Sequence, residues 1–102
     1  MKQEKMKFRV CPSVDMHYSD DGNSITTEID LAGVKKKDIS LESGKAGFCL
    51  KANKEDLIFD SCYRFCEEID AEKINAEFRN GMLRITAPVE KSFLHARKIS
   101  VH

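Results

Sequence analysis

The sequence predicts an all-β domain, an antiparallel β-sandwich of roughly seven to nine short strands. Three observations carry this. Apolar and polar residues alternate with a period of two in block after block, Gly, Asn and Asp turn signals separate the blocks, and no stretch of helix formers runs long. Val14, Met16 and Tyr18 alternate with Ser13, Asp15 and His17 and end at Asp20-Asp21-Gly22-Asn23, a strand and its turn. Ile25, Thr27, Ile29 and Leu31 face one way and Thr26, Glu28 and Asp30 the other, the pattern of a sheet with one buried and one wet face. Gly33 closes that strand.

Lys35, Lys36, Lys37 and Asp38 form a polar connection to Ile39 and Leu41, whose neighbours Ser40 and Glu42 point to solvent. Gly44 and Gly47 bracket the next turn. Phe48, Leu50 and Ala52 alternate with Cys49, Lys51 and Asn53; after a polar interval the chain resumes at Leu57 to Asp60, and Tyr63 and Phe65 then oppose Cys62, Arg64 and Cys66. Glu67 to Lys73 suits a single helical turn with Asp70 as its N-cap, too short to stand as an independent helix. Ile74, Ala76 and Phe78 return to alternation. Asn80-Gly81 is the strongest hairpin signal in the chain and leads into Leu83 and Ile85, before Pro88 ends the strand. Val89 to Lys98 is a charged connector, and Ile99 and Val101 flank Ser100 as a last apolar pair.

Composition narrows the function classes. With 17 basic and 17 acidic residues among 102 the net charge is close to zero, so neither nucleic acid nor a membrane surface is an expected partner. No apolar run approaches the roughly 20 residues that span a bilayer. The charged segment Met1 to Lys7 lacks the apolar centre of a signal peptide, which predicts a cytoplasmic protein whose four cysteines, Cys11, Cys49, Cys62 and Cys66, are thiols. Cys62 and Cys66 have a loose zinc-ligand spacing, but four residues of strand cover about 13 Å, too far for one ion. No metal site and no cofactor are expected. His17 and His95 are read as solvated side chains, and Gly44-Lys45 lacks the remaining residues of a phosphate-binding loop. Without a catalytic constellation the chain is not expected to be an enzyme.

Four segments together resemble the small heat-shock proteins, the family of the Hsp20 or α-crystallin domain. Ala76-Glu77-Phe78-Arg79-Asn80-Gly81-Met82-Leu83 is similar to the family's A-x-x-x-N-G-(apolar)-L signature. Leu31-Ala32-Gly33-Val34 through Asp38-Ile39 is similar to its L-P-G-V turn, with Ala32 where proline is usual. Ile69-Asp70-Ala71-Glu72-Lys73-Ile74 resembles its V-D-x-x-K-I segment, and Ile99-Ser100-Val101 its terminal I-x-I/V motif. The resemblance runs from about Pro12 to Val101. It implies an immunoglobulin-like sandwich over residues 12–88, an arm over 1–11, a connector and motif over 89–102, and an ATP-independent holdase that binds non-native clients and self-associates as a dimer or larger assembly.

The same resemblance implies that Ile99 and Val101 anchor in an apolar groove of a neighbouring subunit. By position the groove strands are Ile39 to Glu42 and Met82 to Ala87, with Ile39, Leu41, Leu83 and Ile85 as its residues. Those four also alternate as any sandwich core would, and Ile99 and Val101 could equally fold back on their own domain, so both alternatives stand. The segment Asn53 to Cys62 is too short for the long exchanged loop common in the family, the arm is short, and Ser61 replaces a usual basic residue. These departures motivate an alternative, a p23-like (CS-type) sandwich serving as co-chaperone or adaptor.

Overall fold

The computed structural model describes residues 8–90 and 98–102. Among these residues eight strands form two four-stranded sheets. One sheet holds β1 (Phe8–Val10), β4 (Ile39–Ser43), β5 (Gly47–Lys54) and β6 (Leu57–Arg64) in the order β1-β6-β5-β4. The other holds β2 (Val14–Tyr18), β3 (Ser24–Asp30), β7 (Asn75–Arg79) and β8 (Met82–Pro88) in the order β2-β3-β8-β7. All neighbours are antiparallel except β1 and β6, which run parallel. The described residues contain no α-helix, only single 3₁₀ turns at Lys36–Asp38 and Ala71–Lys73. The all-β class read from the alternation is the one the chain adopts.

That alternation builds the core directly. Ile25 and Ile29 of β3 pair with Ala87 and Leu83 of β8, and Phe48, Leu50 and Ala52 of β5 face them from the other sheet; all are buried. Leu31, Val34, Phe65 and Ile69 close the ends of this layer. The Phe48 ring lies 5.2 Å from that of Tyr63 and 5.6 Å from that of Phe65, separations at which tilted aromatic pairs add to plain area burial. Thr27 occupies a core position opposite Ile85, and among the described residues its Oγ1 has no hydrogen-bond partner.

Turn chemistry fixes the register. Asn80 and Gly81 both have positive φ, 51° and 77°, the left-handed pair that a two-residue hairpin turn requires. Leu31 N donates to Gly81 O, tying the end of β3 to this turn. Asp70 caps the second 3₁₀ turn, its carboxylate accepting from Glu72 N at 3.1 Å. In the β2–β3 turn, hydrogen bonds from Ser19 Oγ and Asn23 N hold the Asp21 carboxyl below its ordinary value. Tyr18 Oη donates at 2.6 Å to Glu67, in the loop after β6; that bond, ahead of lesser burial and charge effects, raises its phenol to about 12. At the start of β5, a Cβ on Gly47 would run into Tyr63 O, so the close approach of β5 and β6 there depends on glycine.

Three features differ from the sequence expectations. Phe8–Val10, read as part of an arm, is a strand against β6, with Phe8 N donating to Asp56 O. The interval between β5 and β6 is only Glu55-Asp56, with Glu55 at a φ of 49°, because both strands extend further than their apolar blocks suggest. The expectation of four thiols is corrected by a disulfide between Cys49 and Cys62. The two residues mirror one another across that turn and are direct partners in the β5–β6 register, on the exposed face. Cys11 and Cys66 are free and exposed.

Two predictions follow from packing and pairing. Thr27→Val keeps the volume and removes a buried hydroxyl without a partner; it is expected to stabilise the domain by about 1 kcal/mol, raising Tm by roughly 4–8 °C, and an unchanged or lowered Tm contradicts the packing given above. Without reductant, unfolding in excess iodoacetamide is expected to alkylate Cys11 and Cys66 alone, with peptide mapping placing Cys49 and Cys62 in one linked peptide pair.

Candidate functional site

The stacking of the sheets follows from one short link. Cys11-Pro12-Ser13 join Val10 of β1 to Val14 of β2, a span of at most about 14 Å when extended. Packed sheets lie about 10 Å apart, so the link does little more than cross from one sheet to the other. β1 and β2 are both sheet edges. They therefore lie one over the other, and the other two edges, β4 and β7, flank the opposite side.

That side is open. Ile39 and Leu41 of β4 pair with Ala52 and Leu50, so they sit on the inner face, yet they are only half-buried. Ala76 and Phe78 of β7 pair with Ile85 and Leu83 and also face inward; Phe78 is half-buried and Ala76 exposed. Among the described residues, each edge strand leaves one row of main-chain N–H and C=O groups without a ladder partner. The result is an apolar strip flanked by two hydrogen-bonding rims, with Ser40 and Glu42 on one outer face and Glu77 and Arg79 on the other. An extended segment laid along either rim gains main-chain hydrogen bonds while alternate apolar side chains enter the strip.

The expected groove residues separate into two kinds. Ile39 and Leu41 lie at the open edge. Leu83 and Ile85 do not: β8 is flanked by β3 and β7, and their exposures of 3% and 0% make them core. The second wall is β7 rather than β8, supplied by Ala76 and Phe78. The Asn80-Gly81 turn announces a β7–β8 hairpin, but which of its strands is the edge depends on the non-local pairing of β8 with β3. Ile99 and Val101 lie outside any strand and are 83% and 94% exposed. His95 falls outside the described residues. Among these, no helix is long and apolar enough to cross a membrane.

Comparison with known proteins places this geometry. Residues 17–102 match the model of the Hsp20/alpha crystallin family. The chain is 32% identical over 100 residues to heat shock protein 16 of Schizosaccharomyces pombe, covering 79% of this chain and 68% of that protein. It is 27% identical over 114 residues to a probable 15 kDa heat shock protein of Leptospira interrogans, covering 98% and 84%. Among solved structures, heat shock protein 16.0 from Schizosaccharomyces pombe superposes with a TM-score of 0.73 at 20% identity, over 92% of this chain and 77% of that one. A small heat-shock protein from Xylella fastidiosa gives 0.70 at 21% identity, over 91% and 97%.

The division of the four residues has a measurable consequence. Ile85→Ala is expected to cost about 2–5 kcal/mol in urea unfolding, as for a fully enclosed side chain, and Leu41→Ala clearly less, because part of its surface already meets water. Equal losses would place Leu41 in the core.

Proposed function

The chain belongs to the Hsp20/alpha crystallin family, whose members are small heat-shock chaperones, and from that premise we propose that it is an ATP-independent holdase. It binds extended apolar segments of partly unfolded proteins and keeps them from aggregating. The observation that carries this is the open β4–β7 edge, where Ile39, Leu41 and Phe78 form an apolar strip between unpaired strand rims. Heat-damaged proteins expose the matching partner, an extended backbone with alternating apolar side chains. Strand addition recognises that pattern without requiring one sequence.

Self-association belongs to the same reading. Ile99 and Val101 are spaced to place both side chains on one face of an added strand. Burying each contributes roughly 1.5–3 kcal/mol before ordering costs. A single such contact is weak, so an assembly holds through several at once and releases edges as it loosens on warming. The working compartment is the cytoplasm, with neither nucleic acid nor membrane as partner. Membership of this family favours the small heat-shock reading over the p23-like adaptor.

Light scattering tests the proposal. At a few-fold molar excess and without ATP, the protein is expected to suppress heat aggregation of a model client such as citrate synthase, and Leu41→Glu to lose most of that suppression while remaining folded. Full aggregation across several clients and temperatures would falsify the holdase reading. Ile99→Ala/Val101→Ala is expected to lower the solution mass; an unchanged mass with a lower Tm assigns the segment to its own domain.

A further inference from the structure

The solvent face of the β2–β3 ladder carries a group of side chains that the holdase reading does not use. Asp15 and His17 are two apart on β2 and so share a face, and Asp15 is the direct cross-strand partner of Glu28 on β3. One potential ligand atom from each, an imidazole nitrogen and two carboxylate oxygens, falls within 4.8 Å of the others. We propose that Asp15, His17 and Glu28 form a divalent-cation site for ions that accept nitrogen as well as oxygen, with zinc as the first choice.

One pair of the three already stands near ligand spacing. His17 Nδ1 and Asp15 Oδ2 are 3.0 Å apart. Two donors bound to one zinc at the usual bond lengths and a tetrahedral angle stand about 3.3 Å apart. An ion can therefore replace the hydrogen between them with only a small widening, and Glu28, within 4.8 Å of both from across the ladder, supplies the third bond once its side chain turns in. All three are borne on paired strands, so little backbone order is lost on binding. Three protein ligands leave a fourth position for water, and a hollow of about 230 Å³ lined by Ser13, Asp15, Glu28, Asp30 and Met82 adjoins them.

The charges suit a cation. Arg84, the partner of Glu28 on its other side, contacts only Oε2 at 3.7 Å, a long pair with its guanidinium exposed and Glu28 half-buried. It offsets part of the charge of the two carboxylates, and Thr26, opposite His17, brings none. The mixed nitrogen and oxygen set favours zinc or copper over magnesium or calcium, which take oxygen ligands throughout. Residue spacing alone pointed to Cys62 and Cys66 as the only metal-like pair, because the Glu28 contribution depends on β2–β3 register.

Calorimetric titration with zinc chloride tests the site, using the full chain carrying Cys11→Ser and Cys66→Ser to remove competing free thiols. One zinc per chain is expected, with affinity falling at least tenfold in His17→Ala and at least threefold in Glu28→Gln, and unchanged in His95→Ala/His102→Ala. Magnesium chloride is expected to give no binding. In the unaltered protein, zinc is expected to shift the His17 imidazole resonances in a ¹H–¹⁵N spectrum. Undiminished affinity in His17→Ala, or loss of binding in the His95→Ala/His102→Ala variant, overturns the assignment, as does an unmoved His17 resonance at saturating zinc.

Discussion

The rest of the structure depends on the pairing of β3 with β8. These strands carry Ile25, Thr27 and Ile29 opposite Ala87, Ile85 and Leu83, all buried, whereas the inner-face residues of β2 and β7 are half-buried or exposed. A slip by one residue would turn every one of these side chains to water, which makes the register steep in energy. Once it is set, β2 and β7 can only be edges, and the link of three residues to β1 then decides which edges of the two sheets meet. The open strip is thus a consequence of the core and of chain connectivity, not of residues selected locally.

An exposed edge is ordinarily a hazard, and sequences usually blunt one with charge, proline or a bulge. On β4 and β7 the charged residues, Glu42, Glu77 and Arg79, all point outward, leaving the inner rim apolar. The small Ala76 widens the strip beside Phe78. On the opposite side the edges are β1 and β2, and Tyr18 of β2 is tied by its hydrogen bond to Glu67 in the loop that follows β6.

Much of this was legible in the sequence, for identifiable reasons. The alternation in β2, β3, β5 and β8 needs only a period of two, the β7–β8 hairpin needs only Asn80-Gly81, and the Asp70 cap needs only its position before a short polar turn. What escaped notice is information about which strand lies beside which. Leu83 and Ile85 alternate just as groove residues would, and only the pairing of β8 on both sides makes them core. Cys49 and Cys62 look unrelated until Glu55-Asp56 is recognised as a two-residue turn, after which they oppose one another. β1 is too short to announce itself, and parallel pairing leaves no hairpin signature. The family motifs, being local, were visible throughout.

The Cys49–Cys62 bond bears on how such a chain would be dismantled. Its partners are separated by 13 positions and enclose the β5–β6 turn, so the bond closes a small ring instead of linking distant parts of the fold. Pulled from either terminus by an unfolding motor, the chain would transmit tension through the two sulfurs, and the residues between them would travel as a doubled loop. A pore wide enough for a single extended strand would stall there until the bond was reduced. Turnover of the protein is in this way tied to the reducing power of its surroundings, through a bond on the outer face of the sheet, away from the core.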